Sequence, residues 1–216
     1  LTAEVTDREP RVVGFSARFS TLDGPATRLY WQHRNLFGGA ESLRLEGELF
    51  VPPRTNSSFF DTIENFTWSD LGWRGKATFV KPALDGTRND LLLGALVEKD
   101  RTGGDQYGGY SVERGEVTAA VRHRFSDTFS AQVGVAVEKG ETTDSLGTVD
   151  FTLVGVPASV TYDSTDRLLD PTTGFRVTAS ATPYPSFLGS SVAFAEAKVR
   201  ASTYYAIDEE ARMILA

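Results

Sequence analysis

Apolar and polar side chains alternate with a period of two along most of this chain. The alternation is clearest in 43–49, 129–138 and 175–182, where most alternate positions hold Leu, Val, Ala or Phe and the positions between them are mainly polar or charged. A β-strand with one apolar face has this period, whereas on a helix the charges would surround the cylinder and leave no apolar stripe. The pattern therefore predicts an all-β protein.

Turn residues divide this pattern into segments. Gly, Pro and Asp cluster at 22–25, 37–39, 85–86, 103–105, 145–147 and 171–174, and short turns of this kind join antiparallel strands. We predict about ten strands, with part of another at 210–216; they cover 12–20, 27–35, 41–52, 69–82, 90–101, 110–126, 128–142, 149–163, 174–184 and 192–207. The segment 53–68 is too long for a hairpin turn, and its role stays open.

Strand length separates a soluble β-sandwich or lipocalin-like barrel from a membrane barrel, because both give the same alternation. Soluble strands average about five or six residues, whereas a tilted strand that crosses a membrane needs about nine to eleven. Several predicted strands reach or exceed that length. The apolar positions also include many alanines, which fill a protein core poorly but are harmless against lipid chains; these are Ala95, Ala119, Ala131, Ala179, Ala181, Ala195, Ala197 and Ala201.

Aromatic and charged residues fit the membrane alternative. Aromatic residues lie near predicted strand ends more often than near strand centres, as interfacial girdles do; examples are Phe125, Phe129 and Phe175. The face opposite the apolar one carries both signs of charge, which suits an aqueous lumen; it includes Arg28, Arg44, Glu46, Glu48, Arg74, Lys76, Arg114, Glu116, Arg122, Glu138, Arg176, Glu196, Lys198 and Arg200. The predicted fold is an antiparallel transmembrane β-barrel.

The composition of the chain excludes several classes of partner and site. The net charge of -7 argues against nucleic acid as a partner, because binding phosphates requires a basic surface. The chain has no cysteine, hence no disulfide and no thiolate metal site. A mean hydropathy of -0.22 is what strands with one apolar face average to. Because the chain begins at Leu1 without a targeting signal and stops inside an alternating pattern, we expect a fragment.

Catalytic and metal-binding patterns are not found in the sequence. The two histidines, His33 and His123, lack zinc-ligand spacing, and no Gly-x-Ser-x-Gly or phosphate-loop motif occurs. We therefore expect no catalytic residue, no cofactor and no metal. Asp163, Asp166 and Asp170 could hold calcium, but Asx turns are the preferred interpretation. An outer-membrane barrel hydrolase with a Ser–His pair on its outer wall is the enzyme-class alternative.

Three segments resemble the TamA-like translocation and assembly family, which belongs with the BamA relatives to the bacterial surface antigen superfamily. Residues 7–21 resemble the junction between the last POTRA domain and the first barrel strand. Residues 31–41 contain the "HRNLFG.AE" pattern of the following hairpin. Residues 162–176 contain the "YD..D..LDPT.GFR" signature, and 181–189 extend it. Together with the strand pattern, these matches cover nearly the whole chain, and their order and spacing make the resemblance specific.

The resemblance implies a sixteen-stranded outer-membrane barrel that inserts or exports β-rich proteins. Residues 1–11 would be the end of a periplasmic POTRA domain and its linker, and 12–216 would be the N-terminal part of the barrel, about its first ten strands. The Arg-Gly-Phe plug loop and the last strands are expected beyond residue 216. Implied partners are outer-membrane lipid, β-rich client proteins and an inner-membrane-anchored partner that spans the periplasm.

In this family the first and last strands pair weakly and form a lateral gate. Position therefore predicts a client strand-pairing edge consisting of Val12, Val13, Gly14, Phe15, Ser16, Ala17, Arg18 and Phe19. Gly14 would weaken this strand, and an equally weighted alternative makes it a bulge or bend at the rim. The family-signature turn is given a structural role; it comprises Asp163, Asp166, Asp170, Pro171, Gly174, Phe175 and Arg176.

Two non-enzymatic alternatives stay open, a partner-secretion transporter of the same superfamily and a passive porin. The sequence upstream would separate them, since a TamA-like protein has three POTRA modules, a partner-secretion transporter has two, and a porin has none.

Overall fold

The computed structural model describes residues 9–20, 24–51, 67–68, 71–102, 109–167, 169–207 and 214–215. These residues form twelve strands: β1 (Arg11–Ser20), β2 (Gly24–His33), β3 (Ser42–Phe50), β4 (Gly72–Lys81), β5 (Asn89–Thr102), β6 (Tyr110–Arg124), β7 (Phe129–Asp144), β8 (Gly147–Gly155), β9 (Ala158–Asp163), β10 (Gly174–Tyr184), β11 (Phe194–Ala206) and β12 (Ile214–Leu215). Short 3-10 turns lie at Leu84–Gly86 and Ser186–Leu188. The predicted all-β antiparallel fold is confirmed.

The strands pair in sequence order within one sheet. The order runs from β1 through β7 and then β9 to β12, and β8 pairs with β7 beside this path. β1 and β12 stand at opposite ends of the order, so the sheet is not closed within the part of the chain that the structure describes. No helix among these residues has the length and apolar character needed to cross a membrane.

The contacts divide the chain into two compact units. One contains the described residues of Leu1–Pro82, Leu93–Val117 and Glu138–Thr152, and therefore β1 to β4 with the adjoining parts of β5 to β8. The other contains those of Ala83–Leu92, Thr118–Val137 and Leu153–Ala216, and therefore β9 to β12 with the remainder of β5 to β8.

One predicted strand is wrong. The segment 149–163 is two strands, β8 and β9, because residues 156–157 interrupt the ladder. Pro157 has no N–H to donate, although its carbonyl still accepts a hydrogen bond from Gly134 N at 2.9 Å and Val156 N donates to Pro183 O at 3.1 Å. The other strands match the prediction within three residues at each end. Most of 53–68, and all of 210–216 except β12, lie outside the described residues.

Strand register in the first unit separates an apolar face from a polar face. Val13, Trp31 and Leu45 are opposite one another on β1, β2 and β3. Arg28 on β2 and Glu48 on β3 are likewise directly opposite, on the other face. Alternate residues of each strand thus share a face, as the sequence period predicts.

The burial pattern is inverted relative to a soluble domain. Large apolar side chains are exposed, including Phe15 at 71% and Val13 at 68%. In the described part of the chain, the buried hydrophobic residues are only Ala26, Ala120 and Ala136. Buried carboxylates lie on the opposite face, where Glu48 is 6% exposed. A soluble sandwich would bury its large apolar side chains instead.

Candidate functional site: the edge of β1 and the charged row behind it

One edge of β1 is fully paired with β2, and the backbone pattern shows which residues form that ladder. Arg34 N donates to Pro10 O at 2.8 Å, which makes this pair a hydrogen-bonded one. Hydrogen-bonded pairs alternate in an antiparallel ladder. In the β1–β2 register the bonded residues of β1 are therefore Val12, Gly14, Ser16 and Arg18.

The intervening residues of β1 direct their backbone N–H and C=O groups to the opposite edge. They are Arg11, Val13, Phe15 and Ala17, and no strand of the described residues pairs with them. The predicted edge, 12–19, thus lies within one strand, but its residues differ in role. Val12, Gly14, Ser16 and Arg18 bind β2 through the backbone, whereas Val13, Phe15 and Ala17 direct backbone groups outward that no described strand binds.

Gly14 is in regular register opposite Tyr30, so the alternative interpretation as a bulge is wrong. A bend at the rim stays a prediction. The ring of Tyr30 occupies the space that a Cβ at Gly14 would fill. The guanidinium of Arg44 lies 4.1 Å from the centre of the same ring. Aromatic side chains often cover strand glycines in this way, because the missing side chain leaves room for the ring. The glycine is therefore explained by packing.

A row of alternating charges crosses β3 to β7 on the polar face, with one residue from each strand: Glu48, Arg74, Glu98, Arg114 and Glu138. Arg74 Nη1 lies 3.5 Å from Glu48 Oε2, and its Nε lies 2.6 Å from Glu98 Oε2. Arg114 Nε lies 2.6 Å from Glu98 Oε1, and its Nη1 lies 2.8 Å from Glu138 Oε1. The three glutamates are 6–8% exposed, so their charges depend on these guanidinium groups.

β1 joins this row through Arg18. Its Nη2 lies 3.1 Å from Glu48 Oε1, although the residue directly opposite Arg18 on β2 is Ala26. Arg28 Nη2 approaches the same glutamate at 3.5 Å. Ala26 is 5% exposed, and its small side chain leaves room for the arginine to cross β2. The sequence pattern predicted that Arg18 lies on the edge strand, but it did not predict this contact with β3.

A second polar cluster lies in the other unit, around Asp90, which is 1% exposed. Its Oδ2 lies 2.8 Å from Arg122 Nη2, its Oδ1 lies 3.1 Å from Arg124 Nη2, and it also accepts a hydrogen bond from Ala83 N at 3.0 Å. A cleft of about 600 Å³ lies alongside; its lining includes Arg88, Arg122, Arg124, Asp127 and Asp163. Sequence reasoning missed Asp90 and Glu98, because burial of a carboxylate depends on register.

Asp163 and Asp166 of the signature turn each bind a different set of neighbouring groups. Asp163 Oδ1 accepts hydrogen bonds from Thr165 N at 3.1 Å and Thr165 Oγ1 at 2.6 Å. Asp163 Oδ2 lies 2.6 Å from Arg176 Nη2. Asp170 is exposed. Among the described residues no group of three or more acidic, His or Cys side chains has the geometry to hold a metal ion.

Asp166 holds the far side of the same turn. Its Oδ1 accepts hydrogen bonds from Thr172 N at 2.8 Å and Thr173 N at 3.0 Å, and its Oδ2 accepts one from Thr172 Oγ1 at 2.7 Å. The Thr172 hydroxyl, followed by these backbone N–H groups, holds the pKa of the Asp166 carboxyl well below its usual 3.8. Pro171 is half-buried, Gly174 has φ +99°, and Phe175 stacks on Tyr162 with ring centres 5.2 Å apart.

The hairpin segment 34–41 forms a compact turn between β2 and β3. Asn35 Oδ1 accepts a hydrogen bond from Ala40 N at 2.9 Å, and Glu41 Oε2 accepts one from Gly39 N at 2.9 Å. Leu36 N donates to Glu41 O at 2.9 Å. The polar residues of this motif therefore satisfy the turn's backbone groups.

Each histidine lies beside aromatic or amide groups. The rings of His33 and Trp31 are 6.0 Å apart. His123 Nδ1 lies 2.7 Å from Asn89 Oδ1, and its ring meets Phe125 edge-on at 4.5 Å.

Comparison with protein families shows which family this chain belongs to. The Omp85 superfamily domain matches residues 35–216, most of the chain. The chain belongs to the Omp85 superfamily. The predicted relationship to outer-membrane assembly barrels is confirmed at the level of the superfamily. No curated protein sequence matches it significantly.

The fold of this chain is also seen in a solved structure. The chain is similar to BamA from Haemophilus ducreyi, solved without POTRA domains 1–3, with a TM-score of 0.72 and 12% sequence identity. The match covers 96% of this chain and 40% of the BamA chain, so the chain spans less than half of that structure. This Omp85 chain therefore has the fold of part of a BamA-like barrel.

Proposed function

We propose that this Omp85 chain is the N-terminal part of an outer-membrane barrel that inserts or exports β-rich client proteins through a lateral gate at β1. The observation that supports the proposal most strongly is the asymmetry of β1. One edge is paired with β2 over ten residues. The other edge presents backbone groups at Arg11, Val13, Phe15 and Ala17 that no described strand binds.

The inverted burial supports a place in the outer membrane. The exposed face of β1 to β3 carries Val13, Phe15, Leu29 and Leu49, which are 51–71% exposed and would contact lipid chains. The opposite face carries the charged row and would line an aqueous interior. An arginine or lysine on the lipid face of such a barrel costs about 2–4 kcal/mol at the bilayer midplane, so this separation of charge favours the proposed orientation.

The proposed chemistry is exchange of hydrogen bonds at a sheet edge. An unpaired backbone group in hydrocarbon costs several kcal/mol, so the edge of β1 needs a partner strand. The last strand of the barrel and a strand of the client offer the same backbone groups. Replacing one by the other changes the number of hydrogen bonds little, which lets client strands add to β1 by β-augmentation.

Within the superfamily, we assign the chain to the TamA-like branch. The support is the order and spacing of its motifs at 7–21, 31–41 and 162–176. This assignment carries with it three upstream POTRA modules and an inner-membrane-anchored partner that spans the periplasm. A partner-secretion transporter or passive porin is the alternative. We propose no enzymatic activity, since both histidines contact amide or aromatic groups.

A disulfide tether tests the gate in the full-length protein. The chain has no native cysteine that would interfere. Phe15→Cys, joined by a disulfide to a cysteine in the last strand, is expected to stop client assembly until a reductant is added. The matched control joins β1 to β2 through Val13→Cys and Trp31→Cys, which are directly opposite, and is expected to leave assembly unchanged. Full assembly with the first tether closed would contradict the proposal.

A further inference from the structure

The charged row has an excess of cations where it reaches β1. Arg18 and Arg28, on β1 and β2, approach one carboxylate, Glu48, at 3.1 and 3.5 Å. Arg74 approaches the same carboxylate from β4 at 3.5 Å, although it also binds Glu98 at 2.6 Å. Within the row, Glu48 and Glu98 each lie between guanidinium groups of different strands. On the outer side of Arg18, by contrast, no described strand is present to supply an anion.

We infer that the edge of β1 selects partner strands that carry a carboxylate, Asp or Glu, opposite Arg18 on the polar face. The inference rests on the proposed function, because it requires that a client strand pairs with β1. It adds a chemical preference to a contact that backbone hydrogen bonds alone would make with any sequence. The occupant is an antiparallel client strand that extends the alternating row by one acidic position.

The backbone geometry favours a close contact at this position. Arg18 is hydrogen-bonded to β2 through its backbone, so an antiparallel strand on its other side would meet it in a non-hydrogen-bonded pair. Side chains are closest in such pairs, with Cα atoms about 4.5 Å apart. Opposite charges directly across a pair stabilise it, and like charges destabilise it.

Arg18 is able to turn towards such a carboxylate. Its side chain is 59% exposed, whereas that of Glu48 is 7% exposed. Because Arg28 and Arg74 also approach Glu48, the buried glutamate keeps two cationic neighbours when Arg18 moves. A guanidinium binds carboxylates through two parallel N–H bonds, which gives the contact direction as well as charge. A lysine on the client would instead face the cationic end of the row.

The test measures assembly of a β-barrel client by the full-length protein reconstituted in lipid vesicles. Three clients carry Glu, Gln or Lys at the position opposite Arg18, and Ala17→Cys reports strand pairing by cross-linking to the client. We expect the order Glu, Gln, Lys for the wild-type protein, with roughly a tenfold ratio in rate between the first and the last. Arg18→Glu is expected to invert the order.

Lys198→Glu is the matched control, because it reverses one positive charge on β11, where Lys198 contacts Glu196 and not Glu48. It is expected to affect the three clients equally. Should Arg18→Glu not fold, Arg18→Gln is expected to remove the difference between the Glu and Lys clients. Equal rates for the three wild-type reactions, with the cross-link present, would overturn the charge preference and leave the gate standing. Absence of any cross-link would overturn both.

Discussion

Tyr30 on β2 covers Gly14 on β1, and its ring takes the space that any side chain at that glycine would need. The pair fixes β1 to β2 from the polar face, behind the edge at which clients are proposed to bind. A strand that presents one edge for exchange must be held firmly on its other edge. The contact between these two residues adds side-chain packing to the ten-residue backbone ladder.

Gly14→Ala should destabilise the β1–β2 hairpin, because the new methyl group displaces the Tyr30 ring. Overpacking of this kind costs about 1–3 kcal/mol. Urea unfolding of the full-length protein in micelles, followed by Tyr and Trp fluorescence, measures the loss. Gly47→Ala is the control, since no atom lies within 4 Å of a Cβ built there. Equal midpoints for the two variants would refute the packing role of Gly14.

Glu98→Gln should weaken the charged row. Glu98 is 6% exposed and binds Arg74 and Arg114, both at 2.6 Å. We expect a loss of about 1–3 kcal/mol, the range for hydrogen bonds to charged groups. In Glu196→Gln the carboxylate is 59% exposed and its Lys198 partner is 3.3 Å away, so the expected loss is below about 0.5 kcal/mol. The free energy of unfolding measures both, and a loss for Glu98→Gln no greater than that for Glu196→Gln would contradict this account.

The signature turn should loosen in acid. Because hydrogen bonds lower the pKa of Asp166, its contribution to stability is complete above the usual carboxyl pKa of 3.8 and is lost as pH falls below that value through the lowered pKa. Amide hydrogen exchange at Thr172 and Thr173 between about pH 5 and pH 2 measures this. Asp166→Asn should exchange faster at pH 5 and lose the acid step attributed to this carboxyl. An unchanged acid step in Asp166→Asn would assign it to another group.

Gly174→Ala should damage the turn more than Gly38→Ala. Both glycines have positive φ, +99° and +94°, but a Cβ at Gly174 would collide with Ser164 O, whereas nothing lies within 4 Å of one at Gly38. Gly38→Ala carries only the backbone strain, about 1–2 kcal/mol. Thermal unfolding compares them, and a larger loss for Gly38→Ala would contradict the role given to the close approach.

Period-two alternation was sufficient to predict the separation of polar from apolar faces and the strands, except the division of 149–163 into β8 and β9. It could not give register, because shifting a strand by two residues keeps the same pattern. For that reason the contact of Arg18 with Glu48, two strands away, was not predicted. The break between β8 and β9 had a signal in Pro157, since proline inside a predicted strand argues against its continuity. The packing of Tyr30 over Gly14 was not predicted either, because it too depends on the register of β1 and β2.

The roles of the edge residues also could not be predicted without the register. Position in the chain and the family resemblance selected 12–19, but only the ladder with β2 shows that Val13, Phe15 and Ala17 direct their backbone outward. The sequence pattern likewise did not predict that Asp90 and Glu98 are buried. A carboxylate in an alternating sequence looks the same whether it faces water or lies between two arginines.

Cross-linking between β1 and a client strand tests the central claim most directly. Cysteines at Val13, Phe15 or Ala17 of the full-length protein, each paired with a cysteine scanned along a client strand during assembly, should give disulfides in one antiparallel register. Cysteine at Thr27, opposite Ala17 on β2, should give none, because β1 separates it from the client. Client cross-links from Thr27 equal to those from Ala17, or none from β1 while assembly proceeds, would contradict the account.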